Sequence, residues 1–452
     1  MTTANVQVGV VEKPWPEPRR AWYAVLLLSM AYVLSYLDRI FINLLVVPIQ
    51  TDLGINDTQF GMLQSLAFGI FYTMMALPLG RMADNRERRL IVVYGVALFS
   101  LFTTLSGFAK TYAQLFCARI FVGVGEASLT PAAYSILSDY FPPHRLGRAI
   151  GVFTMSAFVG TGLAYIGGGT LIDLLSAHGN IEVPGLGTFK PWQVAFVLVG
   201  LPGLLIAPLL LTLKEPARRG TATNASVPVR EVFAEIARRR QTLVWLFAGF
   251  SMVTLSGYAS AVWTPAFFIR VYEWQPGQIG LWYGLIYLAF GTTGALFGGW
   301  LCDRLTARGV LDAPLRVAAF GYVGTGLFGG LAPLMPTPEL ALALFIPATF
   351  LGTLPFPLAG ISIQLVTQNR LRGQMSALYM LVINVVGLGL GPLIVGLFTD
   401  FVFTAPSDVR YSLALVNAVA APVAMIFLLI ACKGYRSLRR EMLEGETTGA
   451  PS

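Results

Sequence analysis

Twelve apolar stretches of about 20 residues each fill most of this chain, and each is long enough to cross about 30 Å of hydrocarbon. No other feature narrows the fold as much. A backbone in lipid must satisfy its polar groups internally, so uninterrupted apolar runs of this length read as helices. They are placed near 21–48, 58–80, 90–109, 111–138, 147–172, 191–213, 241–269, 277–301, 315–335, 339–367, 374–400 and 410–432. Only 12% of the residues are charged and mean hydropathy is +0.67, where a soluble chain is about one quarter charged. The fold class expected is an all-α membrane protein with twelve transmembrane helices.

The net charge of +8 raises the question of nucleic acid, and the placement of the charges answers it. With the N-terminus in the cytoplasm, the 31 Lys and Arg fall on cytoplasmic segments except Lys110, Lys190, Arg270 and Arg410 outside, and Arg39 and Arg119 within helices. That is the positive-inside pattern of a multi-pass protein. It sets orientation and contacts anionic headgroups, and no nucleic-acid footprint remains. Both termini are expected in the cytoplasm. Short loops and the excess of Arg over Lys suggest a bacterial plasma membrane. The first 20 residues are polar and rich in proline, and the first apolar stretch is too long for an h-region, so no signal peptide is expected. Cys117, Cys302 and Cys432 have no metal-ligand spacing, and His144 and His178 fall in loops. No nucleotide loop, metal cluster or Ser–His–Asp arrangement is present in the sequence, so an enzyme, a cofactor and a metal are not expected.

The longest basic connection, 214–240, divides the chain almost in half. The expected organisation is a tail over 1–20, a six-helix unit over 21–213, the linker over 214–240, a second six-helix unit over 241–433 and a tail over 434–452. Within the linker, Pro228 to Arg240 reads as a short amphipathic surface helix with Val229, Val232, Phe233 and Ile236 on one side. The halves carry an internal repeat. Gly80 and Asp84, followed by Arg86, Arg88 and Arg89, end the second helix; Gly299, Asp303 and Arg304 end the eighth. Gly admits a neighbouring helix, and Asp at a helix end receives a facing helix dipole or pairs with Arg. Such clusters are expected to latch helices in one conformation.

Gly80 to Arg89 resembles the loop signature G-x-L-x-D-R-x-G-R-R of the major facilitator superfamily, departing at Met82, Asn85 and Glu87. The likeness covers about 20 to 433 and implies two pseudo-symmetric six-helix bundles around a central cavity. Within that superfamily the chain is similar to the Spinster group. The residues that carry this are Tyr36-Leu-Asp38-Arg39, the run Arg119 to Ser128 with its Gly125-Glu126-Ala127, the run Phe141 to Arg148, and Gly167-Gly168-Gly169. The resemblance implies proton-linked movement of sphingolipid- or lysophospholipid-type molecules. The antiporter pattern G-x-x-x-G-P-x-x-G-G is degenerate here: Gly160, Ala164, Tyr165, Gly168 and Gly169 stand at its positions, and its proline is missing.

Asp38, Arg39, Arg119 and Glu126 lie deep in helices, all in the first half, and charge at membrane depth is usually retained for function. The first helix runs outward and the fourth inward. Asp38 and Arg119 then both sit about 12–15 Å below the outer boundary and meet if the helices face each other. Arg119 and Glu126 are seven residues apart and share a face; Asp38 and Arg39 point about 100° apart. Asp38 is the expected proton-binding carboxylate, loaded and unloaded as Arg119 moves. Glu126 is a second proton site, and Arg39 is either a headgroup ligand or the partner of Glu126. A static network that only holds the bundle together is the plain alternative. The second half offers Tyr258, Trp263 and Thr264 near Pro265, and Phe356 between Pro355 and Pro357, where broken helices line a cavity. Arg39, Arg119, Tyr258, Trp263, Thr264 and Phe356 are the expected solute contacts. The expected function is alternating-access transport of a small amphipathic solute, coupled to protons, by a monomer in the bilayer. Organic-anion symport and drug–proton antiport remain as alternatives, and a membrane receptor or enzyme as a remote one.

Overall fold

The structure, a computed structural model, describes residues 15–185, 187–218, 229–368 and 370–448. Twelve helical spans cross it: α1 (Pro18–Leu53), α2 (Asp57–Ala83), α3 (Arg88–Ser106), α4 (Tyr112–Tyr140), α5 (His144–His178), α6 (Pro191–Leu210), α7 (Arg240–Val271), α8 (Pro276–Ala307), α9 (Ala313–Leu334), α10 (Pro338–Val366), α11 (Arg372–Phe403) and α12 (Pro406–Glu444). Local chemistry sets several of the starts. Asn56 and Gln59 form a capping box for α2, Thr111 caps α4 and Thr337 caps α10, each side chain supplying the acceptor that first-turn N–H groups lack.

Two features depart from the expected outline. Helix α12 does not stop near 432. Its helical path runs on through the segment read as a tail, because Tyr435 and Leu438, three residues apart, keep the same apolar face buried. Between α5 and α6 a two-stranded hairpin, β1 (Ile181–Val183) with β2 (Gly187–Phe189), covers the helix ends. The proline-rich break expected in the tenth helix is present: its first segment ends at Thr353 and the next starts at Pro355. The linker helix spans Val229–Arg238, with Pro228 outside the described residues. Val232 is buried among residues of the second unit and Ile236 packs there too, while Phe233 points outward. The helix therefore docks on the second unit, against α7 and α11, through Val232 and Ile236 and not through Phe233.

Helices α1–α6 and α7–α12 form two six-helix units that meet along two seams, α5 against α8 and α2 against α11. Both seams are tight at one end. There, a Cβ on Gly280 would stand 2.2 Å from the Tyr165 carbonyl oxygen, and one on Gly169 2.5 Å from that of Pro276. Toward the other end the seams part. The second stretch of α8, Thr292–Ala307, packs against α9 and α10 instead of α5. The molecule is thus closed at the end carrying Asp57 and Arg270 and open at the end carrying the linker.

Overpacking a closed helix seam costs about 1–3 kcal/mol. Gly280→Leu is expected to lower the melting temperature in detergent by several degrees. Gly299→Leu, where nothing lies within 4 Å of an added Cβ, is expected to leave it near wild type. Equal melting of both variants would contradict this account of the seam.

Candidate functional site

Helices α1 and α4 run antiparallel and carry opposite charge orders. Asp38 and Arg39 on α1 meet Arg119 and Glu126 on α4 as two crossed pairs. Arg119 Nη2 donates to Asp38 Oδ1 at 3.1 Å and its Nη1 to Oδ2 at 3.3 Å. Arg39 Nη2 and Nε donate to Glu126 Oε2 at 2.6 and 3.2 Å. The 100° turn between residues 38 and 39 sends one pair into the interior of the first bundle and the other toward the second bundle. Hydroxyls complete both sites. Thr103 Oγ1 on α3 donates to Asp38 Oδ1 at 2.7 Å, and Ser35 Oγ, one turn before Arg39, donates to Glu126 Oε2 at 2.8 Å.

All four groups are buried: Arg119 is 0% exposed, Glu126 1%, Asp38 2% and Arg39 7%. Removing ions from water is expensive, and pairing with extra hydrogen bonds offsets that only where geometry is good. Both pairs have those extra bonds. Aromatic faces add to the cationic sides. Arg119 lies 5.4 Å from the Phe196 ring centre, and Arg39 lies 4.6 Å from Tyr72, 4.9 Å from Phe68 and 5.0 Å from Tyr36. Glu126 Oε1 and Arg119 Nε are buried with no hydrogen-bond partner. Arg39 is paired with Glu126 in this structure, the second of the two roles expected of it. Arg119 pairs with Asp38, so a static Arg119–Glu126 bond is not what the structure holds.

The expected solute contacts divide. Phe356 on α10 is 54% exposed and its ring touches Phe158 of α5 at 5.5 Å. Tyr258 on α7 is half-buried and within electrostatic reach of Arg39, Tyr36 and Tyr72. Arg119, Trp263 and Thr264 have no exposed surface. Trp263 Nε1 donates to the Pro392 carbonyl at 2.8 Å, and Thr264 accepts from Tyr283 at 3.4 Å. All three are sealed in helix packing in this conformation: Arg119 inside the first bundle against Asp38 and Phe196, and Trp263 and Thr264 at the closed end.

That closed end holds groups the sequence reading did not join. Arg270 of α7 grips Asp57 of α2, with Nη2 at 2.6 Å from Oδ1 and Nη1 at 2.8 Å from Oδ2, and it also donates to Gln50. Asp400 of α11 accepts from the backbone N–H of Thr58 at 2.7 Å and of Asp57 at 3.3 Å. This is a carboxylate at a helix start, where free N–H groups favour negative charge. Asp173 of α5 likewise accepts from the Gly277 N–H. In the second bundle, Asn417 of α12 ties Ser256 and Ser260 of α7 to the Gly329 carbonyl of α9.

At the open end, Arg88 and Arg89 of the repeat bind acids that the sequence reading did not pair with them. Arg88, 1% exposed, binds Asp139 of α4 and Glu215 beyond α6, the latter at 2.7 Å. Arg89 donates to the carbonyls of Leu211 and Leu213 and to Glu87. Arg218 donates to the Ala83 and Arg86 carbonyls that end α2. The Asp84 side chain lies outside the described residues. Gly80 and Gly299 are not close-approach positions as expected: a Cβ on Gly80 would meet Pro131 at an ordinary 3.8 Å, and one on Gly299 nothing. The parted seams at this end leave room at both. Asp303 and Arg304 are exposed, with Arg304 over the Trp300 ring. The buried acid of that half is instead Asp312, with Arg316 at 3.0 Å and Arg436 at 3.5 Å.

Comparison with known proteins places this arrangement. The family model "Major Facilitator Superfamily" matches residues 28–392. The chain is 28% identical to an "MFS-type efflux pump" of Mycolicibacterium smegmatis, over 94% of this chain and 95% of that one. It is 27% identical to "Protein spinster homolog 1" of Homo sapiens, over 85% of this chain and 74% of that one. Among solved structures it superposes on a bacterial homolog of the human lysosomal transporter Spinster, described as inward-facing and unoccupied, with a TM-score of 0.76 and 24% identity over 95% of this chain and 99% of that one. The chain belongs to the Major Facilitator Superfamily.

Proposed function

We propose that this transporter couples protons to the movement of an amphipathic, lipid-like solute by alternating access across a bacterial plasma membrane. The observation that carries the reading is the crossed pair of buried carboxylates and guanidiniums. A proton arriving on Asp38 competes with Arg119 for the same two oxygens, so protonation and release of Arg119 are linked. Arg119 freed from Asp38 lies two turns from Glu126 along the same face of α4, about 10 Å along the axis, so the second pair feels the change. Arg39 connects that pair to the solute: it reaches Tyr72 and Tyr36 on its own bundle and Tyr258 on the other.

The N-terminus lies in the cytoplasm in this reading, as the distribution of Lys and Arg demands, so the open end faces the cytoplasm. The solute headgroup sits at Arg39, and its tail runs along Tyr258 and Phe356. Arg119, Trp263 and Thr264 reach the solute only when the closed end opens. Charge in one bundle and aromatic surface in the other suit an amphipath better than a uniformly polar solute. The Arg88–Asp139–Glu215 cluster holds the cytoplasmic ends of α3, α4 and α6 together, and Asp84 with the repeat in α8 (Gly299, Asp303, Arg304) completes the latch when that end closes. The protein acts as a monomer. A second reading is drug or organic-anion transport coupled to protons; the mycobacterial relative, an "MFS-type efflux pump", favours an exported solute.

Two measurements in proteoliposomes test these claims. Asp38→Asn is expected to abolish the dependence of uptake on a pH gradient, while solute binding at fixed pH persists. Uptake still driven by the gradient removes Asp38 from coupling. Across lysophospholipids of increasing acyl length, uptake is expected to rise with each added methylene pair; a flat or falling series favours the drug or organic-anion reading.

A further inference from the structure

The fifth helix lacks the proline of the antiporter pattern and carries Tyr165 in its place. Tyr165 is fully buried at the α5–α8 seam, and its hydroxyl donates across the two bundles to the Ala261 carbonyl of α7 at 2.9 Å. That carbonyl has a chemical reason to be available. In an α-helix the Ala261 oxygen accepts from the N–H four residues on, and residue 265 is proline, which has none. A second donor takes the other lone pair: Asn43 Nδ2 of α1 lies 3.1 Å from the same oxygen. Gln64 of α2 holds Asn43 by donating to its Oδ1. Asn43, Gln64 and Tyr165 are each 4% exposed or less.

We propose that Tyr165 and Asn43, oriented by Gln64, form a latch on the carbonyl freed by Pro265 that holds the closed end shut. Three helices of the first bundle converge on one backbone atom of the second. When the bundles separate here the oxygen is left to water, so these bonds exist in one conformation only and bias the equilibrium toward it. The inference rests on the alternating-access reading. Loss of one bond of ordinary net strength shifts the ratio of the two states about fivefold.

The test is distance measurement between spin labels at Thr51 of α1 and Glu339 of α10, both exposed at the closed end, in full-length protein in lipid nanodiscs. Cys117, Cys302 and Cys432 are replaced by alanine. Tyr165→Phe keeps the ring and is expected to raise the long-distance population about fivefold. Pro265→Ala restores an N–H that claims the Ala261 carbonyl and is expected to do the same. The double variant is expected to match the larger single effect, since both act on one oxygen. A wild type that exchanges between two distances while Tyr165→Phe leaves their ratio unchanged overturns the latch. So does a Tyr165→Phe effect of full size in the Pro265→Ala background. A wild type fixed at one distance at every pH and solute concentration overturns the alternating-access reading and the latch with it.

Discussion

The crossed charge pairs between α1 and α4 are the constraint on which the rest of the first bundle depends. Two carboxylates and two guanidiniums are buried together, and each lone member would be a heavy liability in a low-dielectric interior. The helices must therefore stay in register: a slip of one turn would separate Arg119 from Asp38 and leave Arg39 without Glu126. Thr103 and Ser35 then bring α3 and the preceding turn of α1 into the same network. In the proposed coupling the same four side chains also change charge, so a structural account and a coupling account point to the same residues.

The second bundle is built on different terms. At mid-depth its polar contacts are neutral, centred on Asn417 with Ser256 and Ser260, and its buried acid, Asp312, pairs with Arg316 and Arg436. Helix α7 mediates between the two. It carries Tyr258 near Arg39, the freed carbonyl of Ala261, Trp263 braced on Pro392, and Arg270 gripping Asp57. A single helix therefore touches the charged site, the mid-depth polar contacts and the closed end, spread over about 18 Å of helix axis at about 1.5 Å per residue.

Much of this was legible in the sequence, for reasons of geometry. Counting residues from helix ends put Asp38 and Arg119 at one depth, and the seven-residue spacing put Glu126 on the same face as Arg119; those arguments need only the rise and turn of a helix. Pairs between residues far apart at helix ends were not legible. Asp57 and Arg270 are 213 residues apart, and nothing local marks either as the other's partner. The same holds for Arg88, whose basic motif was plain but whose acids, Asp139 and Glu215, come from distant turns. Asp84 and the repeated glycines promised a symmetric device. The second half instead buries Asp312, and Gly299 faces open space. Pro265 was visible as a kink, but the consequence, an available carbonyl at Ala261, appears only when Asn43 and Tyr165 are seen beside it. The extension of α12 was hidden because its apolar face narrows to single residues between charges.

The central claim is that buried carboxylates of α1 and α4 change protonation as the transporter cycles. Infrared difference spectroscopy of the protonated-carboxyl band, recorded between alkaline and acid pH in lipid, addresses it without any assumption about the solute. The account predicts a band that grows on acidification and is lost when both Asp38→Asn and Glu126→Gln are present. A band that never appears, or one that survives both substitutions unchanged, would contradict it.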